Sequence, residues 1–323
     1  MIKSNRHRKL VVNKVVKSSG IDASSGESGG QLEERQTRLS KQQFALLKFL
    51  YSRRFVTTRQ VQTFLGVSHI QQAQQRLNTL LNKKYIGRRY SNEDKVLGRY
   101  ATYFLLPEGM ELIRGYGSRH ALRLMKKDAT ASERFMQHSL AVGDVVAELL
   151  ALYPAPAYDT HVMTKTDVLK CDADQDDGSL DYQPWSNSFP RPFPDGFLTT
   201  ADVKNWSVYC NALVEVWHGT IPFWVYRKRI LYYIDYFDGE DWKDVMLHDD
   251  PLTILLICDT PTLQRRVQRY LRRISYSLYD DTLRFLVTNR DLLTAAEADS
   301  AIWTHVGEEE NEAIKLTNLA GNA

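Results

Sequence analysis

Between Leu39 and Leu106 the apolar residues recur three times at helical spacing and then switch to strand-like segments, an order that few small folds accommodate. Phe44, Leu47, Leu50 and Tyr51 follow Ser40, a cap candidate, at three- and four-residue intervals. Thr57 and Thr58 open a second short helix with Val61, Phe64 and Leu65 expected to face inward. After Gly66, Ser68 opens a third, with Ile70, Ala73, Leu77, Leu80 and Leu81 on one stripe. Then Tyr85–Tyr90 and Tyr100–Leu106 read as two strands around the polar turn Ser91-Asn92-Glu93-Asp94, and Pro107-Glu108-Gly109 begins another helix.

Three helices followed by a basic hairpin describe a winged helix, which lays its third helix in a major groove. The face of that helix opposite the apolar stripe carries His69, Gln72, Arg76, Thr79 and Lys83, with Gln75 beside them and no Asp or Glu. Gln and Arg can read adenine and guanine edges bidentately. The hairpin adds Arg88, Arg89, Lys95 and Arg99. Charge supports the reading: the net +3 of the whole chain conceals 25 basic and 9 acidic side chains in residues 1–130, against 17 and 30 in residues 131–323. A basic half of this kind suits a surface that displaces counterions from phosphates. Double-stranded DNA is the expected partner.

The expected domain plan follows from these shifts. Residues 1–38, rich in Lys, Arg, Ser and Gly with few large apolar side chains, read as a disordered basic tail. Residues 39–127 form the winged helix, 130–306 an α/β domain, and 307–323 a flexible tail. In the α/β part a long amphipathic helix from Ser132 to about Tyr153 precedes β-like segments near 158–169, 194–200 and 211–217, then a helix at 222–237, a strand at 252–258, a helix at 261–275 and a strand at 283–288. The acidic stretch 172–191 reads as a mobile insertion. A mixed sheet covered by helices is expected, making the whole chain α+β.

Two acids stand out in that sheet. If Phe193-Pro194-Asp195-Gly196-Phe197 and Leu213-Val214-Glu215-Val216-Trp217 form an antiparallel pair with its tip at Asn205, Asp195 faces Glu215. Directly opposed residues have β-carbons about 5 Å apart, so like charges there are destabilising unless a cation intervenes. Mg²⁺, or Mn²⁺, would supply that charge through carboxylate oxygens.

A PD turn before one strand and an acid on the next, within an α-β-β-β-α-β order, resembles the PD-(D/E)xK nuclease superfamily. That resemblance implies a restriction-endonuclease-like fold in which Asp195 and Glu215 hold the metal. The superfamily's lysine, two residues after the second acid, is Trp217 here; some members supply it from the following helix, which points to Lys228 or its neighbours Arg227 and Arg229. Asp144 or Glu148 could add a further acid. Joined in order, the winged helix, His138-Ser139-Leu140-Ala141-Val142-Gly143-Asp144, Pro194-Asp195-Gly196, Glu215-Val216-Trp217-His218-Gly219-Thr220, and Lys228 with Tyr232 or Tyr233 are similar to the replication-relaxation family of plasmids and mobile elements. The resemblance spans about residues 40–240. It implies work on an origin or transfer-origin site, alongside replication or conjugation proteins, and a likeness to endonuclease-like mobilisation relaxases.

Other chemistries lack their residues. No Walker loop and no GxGxxG opens a helix, no His-x-His pair exists, and the calcium-loop look-alike at Asp172 has Asp177 where glycine is needed. Three scattered cysteines and the absence of a signal-like leader point to a cytoplasmic protein without a membrane segment. Two functions stay open. In one, Asp195, Glu215 and Lys228 nick or relax an origin with Mg²⁺; in the other, the α/β domain keeps only its fold and the protein is a nuclease-inactive DNA-binding initiator or transcriptional regulator.

Overall fold

The computed structural model describes residues 39–175, 183–205, 209–239, 241–246, 251–275, 282–306 and 313–321. Its first helix, α1 (Lys41–Arg53), buries Leu46, Leu47, Leu50 and Tyr51. A two-residue strand, β1 (Val56–Thr57), leads directly into α2 (Thr58–Leu65), because Thr57 closes a reciprocal capping box with Gln60. The Thr57 hydroxyl accepts the Gln60 amide at 3.2 Å, and the Gln60 carboxamide accepts the Thr57 amide at 2.8 Å. Gly66 stops α2 in the left-handed region (φ 61°), where a β-carbon would be strained. Helix α3 (Ile70–Asn82) buries Ala73, Leu77 and Leu80, and its N-cap is His69 rather than Ser68. Phe64, expected inward, lies outward instead and stacks on Phe49 at 4.1 Å. The buried face of α2 is instead carried by Thr58 and Val61.

Strands β2 (Ile86–Arg89) and β3 (Thr102–Leu105) pair antiparallel, and β1 joins the other edge of β3, giving the order β1-β3-β2. The turn between them is a short helix, α4 (Asn92–Val96), capped by Ser91. Two glycines permit the close packing here. A β-carbon on Gly87 would meet the Phe104 ring at 2.4 Å, and one on Gly109, in α5 (Pro107–Leu112), would meet the Tyr85 carbonyl oxygen at 2.1 Å.

After α6 (Arg119–Met125), the expected boundary near 127–130 is a packed junction. Asp128 is fully buried and pairs with Arg54, while Phe55 and Phe135 meet edge to face at 6.0 Å. Tyr51 donates to the Thr166 carbonyl, Ser52 donates to Asp167 at 2.8 Å, and Thr164 donates to the Ser52 carbonyl at 2.9 Å. From Lys41 onward the chain clusters as one compact unit.

That unit is α+β, with a mixed seven-stranded sheet. Helix α7 (Glu133–Leu152) leads to β4 (Tyr158–Met163), α8 (Lys165–Gln175), β5 (Gly196–Asp202), β6 (Tyr209–Trp217), α9 (Phe223–Asp238), α10 (Trp242–Met246), β7 (Leu252–Cys258), α11 (Pro261–Ser275), β8 (Leu283–Asn289), α12 (Arg290–Ala295), β9 (Trp303–His305) and β10 (Ala313–Ile314). The strand order is β10-β9-β8-β7-β6-β5-β4. Strands β6, β7 and β8 run parallel and the rest pair antiparallel. One face packs against α7, through Val145, Val146, Leu149 and Leu152. The other packs against α8 to α11, through Val168, Tyr226, Ile230, Val245, Val267 and Leu271. By length and composition α7 could cross a membrane, but its apolar side is spent on the sheet.

Three expectations change. Residues 165–175 are helix, not the end of a strand. The stretch 172–191 is held at both ends: Asp172 is buried and accepts the Ser186 amide, and Trp185, Phe189 and Phe197 pack edge to face, while 176–182 lie outside the described residues. The tail expected from 307 returns to the sheet as β10 and buries Leu316 completely, with Lys315 and Thr317 bound to Asp299. Residues 1–38 lie outside the described residues.

Candidate functional site

Strands β5 and β6 take the expected register: Gly196 pairs with Val214 and Phe197 with Leu213, so Asp195 and Glu215 lie opposite at the end of the ladder. Their carboxylates have separate partners, however. Asp195 Oδ2 accepts the Val216 amide at 2.8 Å, in the position of the ladder's next rung, and Oδ1 is 2.7 Å from His138 Nε2 on α7.

Glu215 is only 6% exposed. Its Oε1 accepts from both Nε and Nη2 of Arg229 and from the Tyr233 hydroxyl, all on α9, and Oε2 accepts from the Trp217 indole at 3.2 Å. Arg229 also donates to the Pro192 carbonyl. One helical turn separates Arg229 from Tyr233, so both reach the same oxygen. Burial, with Asp195 nearby, raises the Glu215 carboxyl above its ordinary range while Arg229 opposes the shift. The same burial and the Glu215 charge push the Tyr233 hydroxyl far up, keeping it a donor.

His138 links this pair to a second imidazole. Its Nδ1 faces His218 Nε2 at 3.2 Å, with the rings edge to face. Two facing ring nitrogens can bond only if one carries the proton. Burial disfavours charge on His138, but the Asp195 hydrogen bond and charge outweigh it and raise its pKa. Burial, followed by the His138 charge, lowers that of His218. A proton taken up by the pair is thus favoured on His138 over His218, and Asp195–His138–His218 forms a continuous line of polar contacts.

His218 is fixed at its backbone by Tyr226, whose hydroxyl accepts the His218 amide and donates to the His218 carbonyl, each at 2.6 Å, while the Tyr226 ring stacks on Trp217. Beside it, Asp259, just after β7, accepts the Gly219 amide through Oδ2 at 2.7 Å; its buried Oδ1 has no hydrogen-bond partner among the described residues. At the start of α12, just after β8, Arg290 pairs with Glu148 at 2.9 Å. Asp144 accepts from Gln60 at 2.7 Å, tying α2 to α7.

Lys228 is exposed and leans over the Tyr232 ring at 5.5 Å, so the expected cation of the site is supplied by Arg229, one residue on. Among the DNA-face residues, His69, Gln72, Gln75, Thr79 and Lys83 are exposed along α3 and Arg76 is half-buried. Arg88, Lys95 and Arg99 are exposed on the hairpin. Arg89 departs from that set: it donates to the Ala131 carbonyl at 2.6 Å and approaches Glu133 at 3.7 Å, bracing the hairpin against α7. The histidine line was not legible as a site, because its members are 57 and 80 residues apart and no local spacing joins them.

The donor set decides whether Mg²⁺ fits between the two acids. Every oxygen of Asp195 and Glu215 already accepts a hydrogen bond, and Glu215 has a guanidinium against it. A hard cation would have to displace Arg229 from a buried carboxylate, so the residues as arranged do not fit it. Among the described residues, no group of three or more His, Cys, Asp or Glu side chains is placed to hold a metal ion.

Among known proteins, a family model described as Replication-relaxation matches residues 47–246, and neither a curated protein nor a solved structure matches the chain.

Proposed function

The chain belongs to the replication-relaxation family, and from that premise we propose that it is a DNA-binding protein of plasmid or mobile-element replication that recognises an origin-like duplex. In this reading α1 to α3 with β2 and β3 are a winged helix, α3 enters the major groove, and the hairpin follows the backbone. The observation that carries it is the face of α3: exposed Gln72, Gln75, Thr79 and Lys83 with half-buried Arg76, and no acidic side chain anywhere on the helix. Gln and Arg at such positions read base edges, while Arg88, Lys95 and Arg99 are placed for phosphates.

The α/β half is proposed as an endonuclease-like fold that does not cleave. Its order of α7, the antiparallel β4, β5 and β6, α9 and the parallel β7 supports that reading, with α8 inserted between β4 and β5, and the register of Asp195 and Glu215 is the observation favouring a nuclease. The Arg229–Glu215 pair weighs against it, since it satisfies electrostatically what a metal would otherwise satisfy.

The test uses full-length protein and supercoiled plasmid carrying its own origin. Binding should weaken with salt, each phosphate contact contributing about −0.9 to the slope of log K against log salt. Arg88→Ala should lower affinity for all sequences alike, and Gln72→Ala should relax sequence preference. The plasmid should stay supercoiled with Mg²⁺ or Mn²⁺. Nicking by the wild type that Asp195→Ala and Glu215→Ala both lose would replace the cleavage-free reading with the nuclease, and affinity indifferent to salt would remove the DNA reading.

A further inference from the structure

Helix α11 stands apart from the acidic half that contains it. Its fifteen residues, PTLQRRVQRYLRRIS, hold five arginines and no Asp or Glu. Leu263, Val267 and Leu271 are buried against the sheet, and Arg265, Arg266, Arg269, Arg272 and Arg273 are exposed. The charge is therefore presented on one side of a fixed helix. The eight helical steps from Arg265 to Arg273 span about 12 Å, the length of a few nucleotides.

The neighbouring helix adds to the same surface. Helices α9 and α11 lie side by side: Arg266 covers the Phe223 ring at 4.2 Å, Arg227 covers the Tyr270 ring at 5.1 Å, and Phe223 and Tyr270 meet edge to face at 5.9 Å. Next to Phe223, Trp224 is 65% exposed, and one turn on Lys228 is exposed too. Asp235 and Asp238 are the exposed acids toward the far end of α9. An open tryptophan beside arginines offers a flat apolar face on which a base can stack.

We propose that the α9–α11 face is a second nucleic-acid surface, which binds unpaired nucleotides with its arginines on the phosphates and Trp224 stacked on a base. Charge complementarity selects a polyanion. Trp224 selects an unpaired strand, because a base offers its face to a side chain only when it is not stacked within a duplex. The surface lies on the side of the sheet opposite α7 and is built from residues separate from α3 and the hairpin. A protein with both surfaces could hold a duplex site and an adjacent melted strand together.

The experiment measures binding of full-length protein to a fluorescent thirty-nucleotide oligothymidylate, which has neither sequence nor duplex, by anisotropy across a salt series. A uridine oligonucleotide run in parallel distinguishes DNA from RNA as the source of the strand. Arg265→Gln/Arg269→Gln/Arg273→Gln should flatten the salt slope by about 2, at roughly 0.7 per lost phosphate contact, and the corresponding lysine variant should restore it. Trp224→Ala should weaken binding about 5- to 150-fold at unchanged slope. Gln72→Ala/Arg88→Ala, which weakens origin duplex in the proposed reading, should leave oligothymidylate binding intact, so failure of either surface is seen separately. All substitutions are at exposed positions, and circular dichroism checks the fold. Wild type that does not bind oligothymidylate, a triple variant that binds it with the wild-type slope, or loss confined to Gln72→Ala/Arg88→Ala would overturn the proposal. So would tighter binding to polyglutamate than to either oligonucleotide, which would make the partner an acidic protein.

Discussion

Replacing Arg229 by methionine tests whether the Glu215 carboxylate belongs to a closed ion pair. Both side chains are nearly buried, at 10% and 8% exposure, and Arg229 meets Glu215 through two nitrogens while a third holds the Pro192 carbonyl. Arg229→Met removes these and leaves a buried carboxylate facing only Tyr233 and Trp217. Breaking a buried pair from one side costs about 3–5 kcal/mol. Adding Glu215→Gln removes the orphaned charge but keeps an acceptor for Tyr233. The double variant should then cost only about 1–2 kcal/mol, from imperfectly satisfied donors. The assay is urea unfolding followed by circular dichroism, with stability read from the midpoint at constant slope. Because a ligand of the folded state stabilises by mass action, reaching about 2.7 kcal/mol at a hundredfold excess over its dissociation constant, Mg²⁺ should leave the wild-type midpoint unmoved. An Arg229→Met cost below about 1 kcal/mol, additive costs in the double variant, or a Mg²⁺ shift in the wild type would each refute the closed pair.

Further outcomes follow from the histidines and the hairpin. Unfolded, His138 and His218 lose two protons near pH 6.5, whereas in the folded pair the two losses move apart, because His138 is raised and His218 lowered. The raised His138 contributes stability that is complete below 6.5 and lost as pH rises through its folded value; the lowered His218 contributes stability present above 6.5 and lost as pH falls through its own. Their joint contribution should peak near pH 6.5, and the stability difference between wild type and His138→Gln/His218→Gln, measured across pH 5–8, should show that maximum. Arg89→Ala should lower thermal stability while leaving the salt slope of duplex binding unchanged, since Arg89 braces the hairpin on Ala131. Gly109→Ala should cost about 1–3 kcal/mol or more in urea unfolding, because its β-carbon would overlap the Tyr85 carbonyl, which is backbone and cannot swing aside.

Where apolar period and caps agree, the sequence was readable almost to the residue. Helix Pro261–Ser275 and strand Leu252–Cys258 fall where the pattern places them, because the helix buries one stripe against the sheet and the strand is an unbroken apolar run buried on both faces. Strand β1 was invisible: two residues cannot display a period, and Val56–Thr57 is a strand only because β3 offers it an edge. The helix at Lys165–Gln175 was missed for another reason. Its charges are spread around the helix, and Lys170 and Asp172 are buried by tertiary partners rather than by local pattern. The tail expected to be flexible from 307 holds only a two-residue strand, too short to display a period, and Ala313–Ile314 is a strand because β9 offers it an edge.

The site shows the same division between what is local and what is not. Strand register is an arithmetic property of two strands and a turn, so the opposition of Asp195 and Glu215 could be derived from numbering alone. What neutralises them could not. A repelling pair of carboxylates requires a cation, and the sequence offered Lys228 and Arg229 side by side without stating which faces the sheet. Helical geometry settles it. Tyr226, Ile230 and Tyr233 are buried in the core beneath α9, and residues three and four apart share a face, so Arg229 turns inward with Tyr226 and Tyr233 while Lys228 turns out. Once Arg229 is inside, Glu215 has its counter-charge and Asp195 is free to take His138. The acid pair that suggested a metal in the sequence thus becomes, in the fold, two differently partnered carboxylates, one held by a guanidinium and one by an imidazole.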